Sequence, residues 1–139
     1  MYLIDTNVIS EARKGPRTHP GVQAFFRRVT DEGAAVYLSV VTVGELRRGV
    51  ELIRHRGDAD QARRLAVWLD EVLADYGDHL LPFGVEEAQV WGRLRVPHAQ
   101  HEIDKQIAAT ALMNDLTVVT RNVADFVGTG VRLLDPFAV

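Results

Sequence analysis

The sequence predicts an α/β domain built on a mostly parallel sheet, and three observations carry that reading. Short β-branched and aromatic runs ("YLI", "AVYL", "LTVVT", "VRLLD") alternate with longer stretches whose apolar residues recur at helical spacing. The first apolar run, Tyr2-Leu3-Ile4, stops on Asp5-Thr6-Asn7, polar residues at the end of what reads as a buried strand. The segment from Ile107 to Met113 is apolar nearly all round, as expected of a helix packed inside the molecule.

Each element follows in order. "TNVISEARKGP" predicts a short helix that Gly15 and Pro16 terminate. "HPGVQAFFRRVTDEG" predicts a second helix with Val22, Phe25, Phe26 and Val29 inward, and "AVYL" a second strand. Val43, Leu46, Val50 and Ile53 place a helix from Val41 to about His55. "RGDAD" breaks it, and Asp58 or Asp60 caps the next helix, which buries Ala62, Leu65, Ala66, Leu69, Val72 and Leu73. "HLLPF" is a third short strand. A helix from Val85 to about Arg95 stops before Pro97. The apolar helix "EIDKQIAATALMND" and the strands in "LTVVT" and "VRLLD" complete the pattern. With no repeat, low-complexity tract or linker, residues 1–139 read as one domain.

Composition narrows the class. A chain that is 47% hydrophobic and 25% charged belongs with globular proteins rather than disordered ones. It has no cysteine, which rules out disulfides and thiolate metal sites. No stretch approaches the roughly 20 apolar residues of a membrane span, and the N-terminus lacks the pattern of a signal peptide. The expected location is the cytoplasm, without membrane association. A net charge of -3 does not suit nucleic-acid binding by bulk electrostatics. A phosphate-handling site here therefore needs local arginines or a bound cation.

Three carboxylates stand in apolar or small-residue surroundings: Asp5, Glu45 in "SVVTVGELRRGV", and Asp104 in the first turn of "IDKQIAATAL". Asp5 is also at the carboxyl end of a strand, as is "TRN" after "LTVV", and sites in parallel sheets form at such ends. Each acid has a structural explanation. Asp5 can cap a helix starting near Asn7, Glu45 can pair with Arg48, and Asp104 can complement a helix dipole. If all three converge, however, two carboxylates about 5 Å apart repel by roughly 3 kcal/mol at an effective dielectric near 20. Three such pairs cost about 10 kcal/mol, comparable to a domain's whole stability of about 5–15 kcal/mol. Convergence then demands protons or a divalent cation, and oxygen ligation favours Mg2+ or Mn2+. Zinc is disfavoured, since the only close histidine pair, His98 and His101, reads as part of a loop.

"MYLIDTNVISE", "SVVTVGELRRGV", "DKQIAATALMNDLTVVTRNVADF" and "GVRLLDPF" resemble, in order and spacing, the successive motifs of PIN-domain ribonucleases. The similarity is to the VapC-type toxins of bacterial toxin–antitoxin pairs, particularly their FitB-like branch, and runs from Tyr2 to Phe137. It implies a three-layer α/β/α sandwich in which acids bind Mg2+ or Mn2+ and a metal-activated water cleaves RNA. Carried over by position, the metal-binding acids fall on Asp5, Glu45 and Asp104. A fourth acid often found after the fourth strand is replaced here by Asn122, and Asp125 is the nearby carboxylate that can supply the charge.

Thr6, Asn7 and Thr120 are candidates for positioning the phosphate or water, or else for helix capping. Arg121, with Arg47 and Arg48, is a candidate RNA contact, and Arg13, Lys14 and Arg17 form a basic loop able to track a phosphate backbone. Trp68 and Trp91 read as core or interface residues. The resemblance also implies a VapB-like antitoxin partner and a homodimer. The competing readings are a catalytically degenerate PIN domain that binds RNA or protein, and a metal-dependent phosphatase. A haloacid-dehalogenase-like phosphatase needs a second aspartate where Asn7 stands, and a receiver-like phosphoacceptor needs a lysine where "TRN" offers none.

Overall fold

The computed structural model describes residues 1–138; Val139, the last residue of the expected domain span, lies outside them. Five strands form one parallel sheet: β1 (Tyr2–Ile4), β2 (Val36–Ser39), β3 (Leu80–Leu81), β4 (Thr117–Val119) and β5 (Arg132–Leu134). Their order across the sheet is β3-β2-β1-β4-β5, so the first strand is central and the chain switches direction between β1 and β4. Leu3 sits opposite Tyr37 on one side and Val118 on the other. Such a strand needs apolar residues on both faces, and Leu3 and Ile4 are both fully buried.

Because neighbouring strand residues point to opposite faces, Leu3 and Ile4 belong to different cores. Ile4 and Val119 pack with Val8 and Ile9 of α1 (Thr6–Ala12), Val22, Phe25 and Val29 of α2 (Pro20–Glu32), and Leu69 and Val72 of α4 (Ala59–Tyr76). Leu3 and Val118 pack instead with Ile107, Ala108 and Ala111 of α6 (Glu102–Asn114), while Leu94 of α5 (Val85–Leu94) closes the edge. The helix α3 (Val40–His55) contributes Leu46 to the first core and Val41 to the second. The result is the three-layer α/β/α sandwich, with a sheet that is parallel throughout.

Three expectations need correction. The first helix ends at Ala12, ahead of Gly15, because Gly15 (φ +60°) starts a separate 3-10 turn over Gly15–Arg17. Phe26 is only partly buried beside the first core, and Leu65, Ala66 and Leu73 of α4 are likewise only partly buried, because these side chains sit at the margin of the helix layer. The last helix is buried only through Ala111. Leu112 and Met113 are 39% and 40% exposed although Ala108 and Ala109, one turn earlier on the same faces, are fully buried, so it is the end of α6 rather than one side of it that leaves the core. Of the two proposed caps for α4, Asp58 serves: its carboxylate accepts from the Gln61 backbone N–H at 3.1 Å.

Candidate functional site

The parallel sheet determines where the acids go. Asp5 leaves the carboxyl end of β1, Thr120 leaves that of β4, and α3 starts directly after β2, capped by Ser39, whose hydroxyl accepts from Val41 N–H at 3.0 Å. Glu45 therefore falls in the second turn of α3, above the same sheet edge. The α6 helix runs back towards β4, so its first turn, carrying Asp104, comes to that edge too. Asp5, Glu45 and Asp104 line one recess of about 300 Å3 with Thr6, Asn7, Ile103 and Asn122.

Asp5 is 4% exposed and held by protein donors. Its Oδ1 accepts from Thr6 N–H at 2.8 Å, which makes it the N-cap of α1. Its Oδ2 accepts from the Thr120 hydroxyl at 2.8 Å and from the Asn7 amide at 3.2 Å. Burial still raises its pKa, against the pull of these hydrogen bonds. Capping therefore does not take Asp5 out of the recess: the same side chain caps α1 and lines it.

Thr120 and Asn7 work behind Asp5. Thr120 is fully buried and lies outside the lining of the recess. Its hydroxyl donates to Asp5 and accepts from Asn122 N–H at 3.0 Å and from the Asn7 amide at 3.2 Å, which leaves it no free donor for a phosphate. Asn7 Oδ1 accepts from the Arg121 backbone N–H at 2.9 Å, tying the start of α1 to the turn after β4. The Arg121 guanidinium lies 3.7 Å from the centre of the Phe137 ring, a cation–π contact outside the recess lining.

Asp104 has different neighbours. Its pKa is raised to about 6, chiefly by burial and then by the charges of Asp5 and Asp125, while His101 pulls the other way. Asp125 belongs to a 3-10 turn (Val123–Phe126) anchored by the buried Phe126. His101 stands at the N-cap position of α6 in the left-handed region (φ +58°) without a side-chain capping bond, and His101, Asp104 and Asp125 each bring one ligand atom within 4.8 Å of the others. His101, expected to be a plain loop residue, is the neighbour that the sequence reading missed. A basic residue two to four positions ahead of a candidate acid was the available signal.

Glu45 does not pair with Arg48; among the described residues its carboxylate has no hydrogen bond or ion pair. Arg47 and Arg48 are exposed, and Arg47 approaches Glu51 at 3.7 Å. In the basic loop, Lys14 pairs with Glu11 at 2.9 Å, while Arg13 and Arg17 are exposed. Trp91 donates its indole N–H to the Glu102 carbonyl at 3.1 Å, and Trp68 packs on the first core.

The donor set fits a hard divalent cation. The recess presents carboxylate and amide oxygens, an imidazole stands at its margin, and one carboxylate is driven towards protonation when no cation offsets its neighbours.

Comparison with known proteins identifies the family and the fold. Toxin FitB of Neisseria gonorrhoeae (strain ATCC 700825 / FA 1090) is 35% identical over 143 residues, covering 99% of both chains. VapC ribonuclease Y4jK of Sinorhizobium fredii (strain NBRC 101917 / NGR234) is 28% identical over 146 residues, covering 99% of this chain and 98% of the relative. The crystal structure of FitAcB from Neisseria gonorrhoeae superposes with a TM-score of 0.85 at 33% identity, covering all of both chains. The PIN domain family model matches residues 2–126, and the chain belongs to the PIN domain family.

Proposed function

We propose that this chain is a divalent-cation-dependent ribonuclease and the toxic member of a VapBC-type toxin–antitoxin pair. The observation that carries the proposal is the convergence of Asp5, Glu45 and Asp104 on one recess at the carboxyl edge of the sheet. The similarity to a toxin and to a VapC ribonuclease, each over nearly the whole chain, supports it.

In this reading Asp5, Glu45 and Asp104 hold Mg2+ or Mn2+. Bound there, the cation would lower the pKa of a water and offset the charge of the scissile phosphate. The chain's own groups do the rest. Thr120 and Asn7 fix the Asp5 carboxylate, and Glu45, without a protein partner, is free to orient the attacking water. Thr6 and the Asn122 amide offer neutral contacts to phosphate oxygens, and Asp125 adds the negative charge that Asn122 lacks. Arg121 presents a cationic plane close to the recess, where an RNA backbone would pass. Without a cation the recess repels RNA, so substrate binding and catalysis depend on the same ion.

A free ribonuclease would damage its host, which implies an antitoxin and a cytoplasmic setting. A groove of about 360 Å3 between α3 and α4 suits such a partner. Leu46, Val50, Ile53, Leu65 and Trp68 line it, and it shares Thr6 and Glu45 with the acid recess. An amphipathic helix of a VapB-like protein would fill the groove and direct an arginine onto the acids. Exposed apolar residues beside α5 and α6, including Val85, Val96 and Met113, support a homodimer. Among the described residues, no helix is long and apolar enough to cross a membrane.

The test measures RNA cleavage by purified protein with Mg2+ or Mn2+, alongside growth of its host with and without the adjacent small gene. Cleavage that disappears in Asp104→Asn, and toxicity relieved by co-expression, are expected. Undiminished cleavage by Asp104→Asn would overturn the site, and harmless expression alone would overturn the toxin reading.

A further inference from the structure

We infer that His101, with Asp104 and Asp125, forms a second cation position in which an imidazole nitrogen selects Mn2+ over Mg2+. This rests on the metal-dependent reading above and goes beyond it by assigning a nitrogen ligand and a metal preference.

The spacing is the first argument. His101 Nδ1 lies 3.8 Å from Asp125 Oδ1. That exceeds the roughly 2.7–3.2 Å of an N–H···O hydrogen bond. Two ligands each about 2.1 Å from a shared ion can stand up to about 4.2 Å apart. The 3.8 Å separation falls inside that reach, and all three ligand atoms lie within 4.8 Å of one another, so shifts of a few tenths of an ångström close the set. As a simple ion pair, half-exposed His101 and partly exposed Asp125 would gain little at this distance.

The segments that carry these side chains are built to hold still. Lys105, 7% exposed, donates its ammonium to the His98 carbonyl, and its backbone N–H donates to the His101 carbonyl at 2.9 Å. Trp91 holds Glu102 from α5. On the other side, Phe126 is 1% exposed, and its carbonyl accepts from the Thr129 hydroxyl at 2.7 Å, fixing the turn that presents Asp125. His101 itself takes a left-handed backbone, which histidine, asparagine and aspartate tolerate better than most residues.

Charge and ligand chemistry supply the second argument. Asp104 and Asp125 together balance a divalent ion, while neutral imidazole adds a ligand without further repulsion. Nearby Asn122 adds no charge. Mg2+ prefers oxygen and keeps its waters, whereas an imidazole nitrogen favours transition ions. Replacing an acid by an amide at 122 while placing a histidine at 101 therefore shifts the outer position from a Mg2+ site towards a Mn2+ site.

The experiment titrates Mn2+ and Mg2+ separately into the full chain by calorimetry and records electron spin echo modulation of the Mn2+ complex. The wild type should show nitrogen modulation. His101→Asn, compatible with the left-handed backbone, should lose it. Its Mn2+ affinity should fall by at least the roughly tenfold that even an outer-shell partner commonly contributes, with Mg2+ affinity unchanged. Asp125→Asn should weaken the same Mn2+ event. Bound Mn2+ with no nitrogen modulation in the wild type, or unchanged Mn2+ binding in His101→Asn, overturns the assignment and leaves the metal-dependent nuclease standing. Failure of the wild type to bind either ion overturns both.

Discussion

Around Asp5 both carboxylate oxygens receive protein hydrogen bonds, whereas the charges around Asp104 are chiefly other acids. Burial raises the pKa of both residues, but the chain answers it differently. On the Asp5 side, Thr6, Asn7 and Thr120 stabilise the ionised form and fix its direction before any ligand arrives. On the Asp104 side, the chain leaves an electrostatic deficit that a cation can remove. In the proposed reading, one half of the recess would supply geometry and the other affinity for positive charge.

The largest expected effect comes from exchanging these roles by mutation. Asp5→Asn and Asp104→Asn should both abolish RNA cleavage, yet move the stability of the metal-free protein in opposite directions. In Asp5→Asn an amide NH2 must face a donor, which costs about 1–3 kcal/mol. Asp104→Asn removes a disfavoured charge, so its melting temperature should stay level or rise. Chemical denaturation in chelator measures both, and equal destabilisation by the two variants would erase the distinction between the halves.

A smaller effect should separate Asp125 from Asn122. If Asp125 supplies the charge, Asp125→Ala should lower the cleavage rate by roughly 10–100-fold, and Asn122→Ala by distinctly less. The reverse order, measured at saturating metal, would show that the amide itself directs the water or phosphate.

The smallest effect is a pH slope. Asp104 titrates at about 6 in the fold against 3.8 ordinarily. Between those values the folded chain keeps a proton that the unfolded chain has released, so the contribution of Asp104 to the stability of the metal-free protein falls as pH rises and levels off above about 6. Denaturant midpoints from pH 4 to 7 should show this decline, flattened in Asp104→Asn and reversed by a saturating divalent cation. A wild-type midpoint that does not fall relative to that of Asp104→Asn over this range in chelator would remove the deficit assigned to Asp104.

Much of this arrangement was legible from the chain. Strand and helix periodicities predicted an α/β domain on a mostly parallel sheet, the family resemblance implied the three-layer sandwich, and an acid closing the run Tyr2-Leu3-Ile4 marked the sheet edge. The roles behind the acids were less visible. Whether Thr120 meets a phosphate or Asp5 depends on the register of β1 against β4, which pairs Ile4 with Val119 and sends Thr120 inward. Nothing local in "VTRN" specifies that. His101 was missed because its place beside Asp125 depends on a left-handed turn and on a segment much later in the chain. For Arg121, a candidate RNA contact in the sequence, the stacking on Phe137 was hidden because that ring comes from beyond β5.

The hydrogen bond between Thr120 and Asp5 joins residues 115 positions apart. The first strand must wait in the middle of the sheet for β4, because no earlier segment supplies that neighbour. During synthesis, the amino-terminal helices and β2 can gather around β1, but the Asp5 carboxylate stays without its buried partner until the region around Thr120 has left the ribosome. Asp104 emerges late as well. A nascent chain therefore keeps its acids apart until the regions around Asp104 and Thr120 have both emerged, about a hundred residues after Asp5.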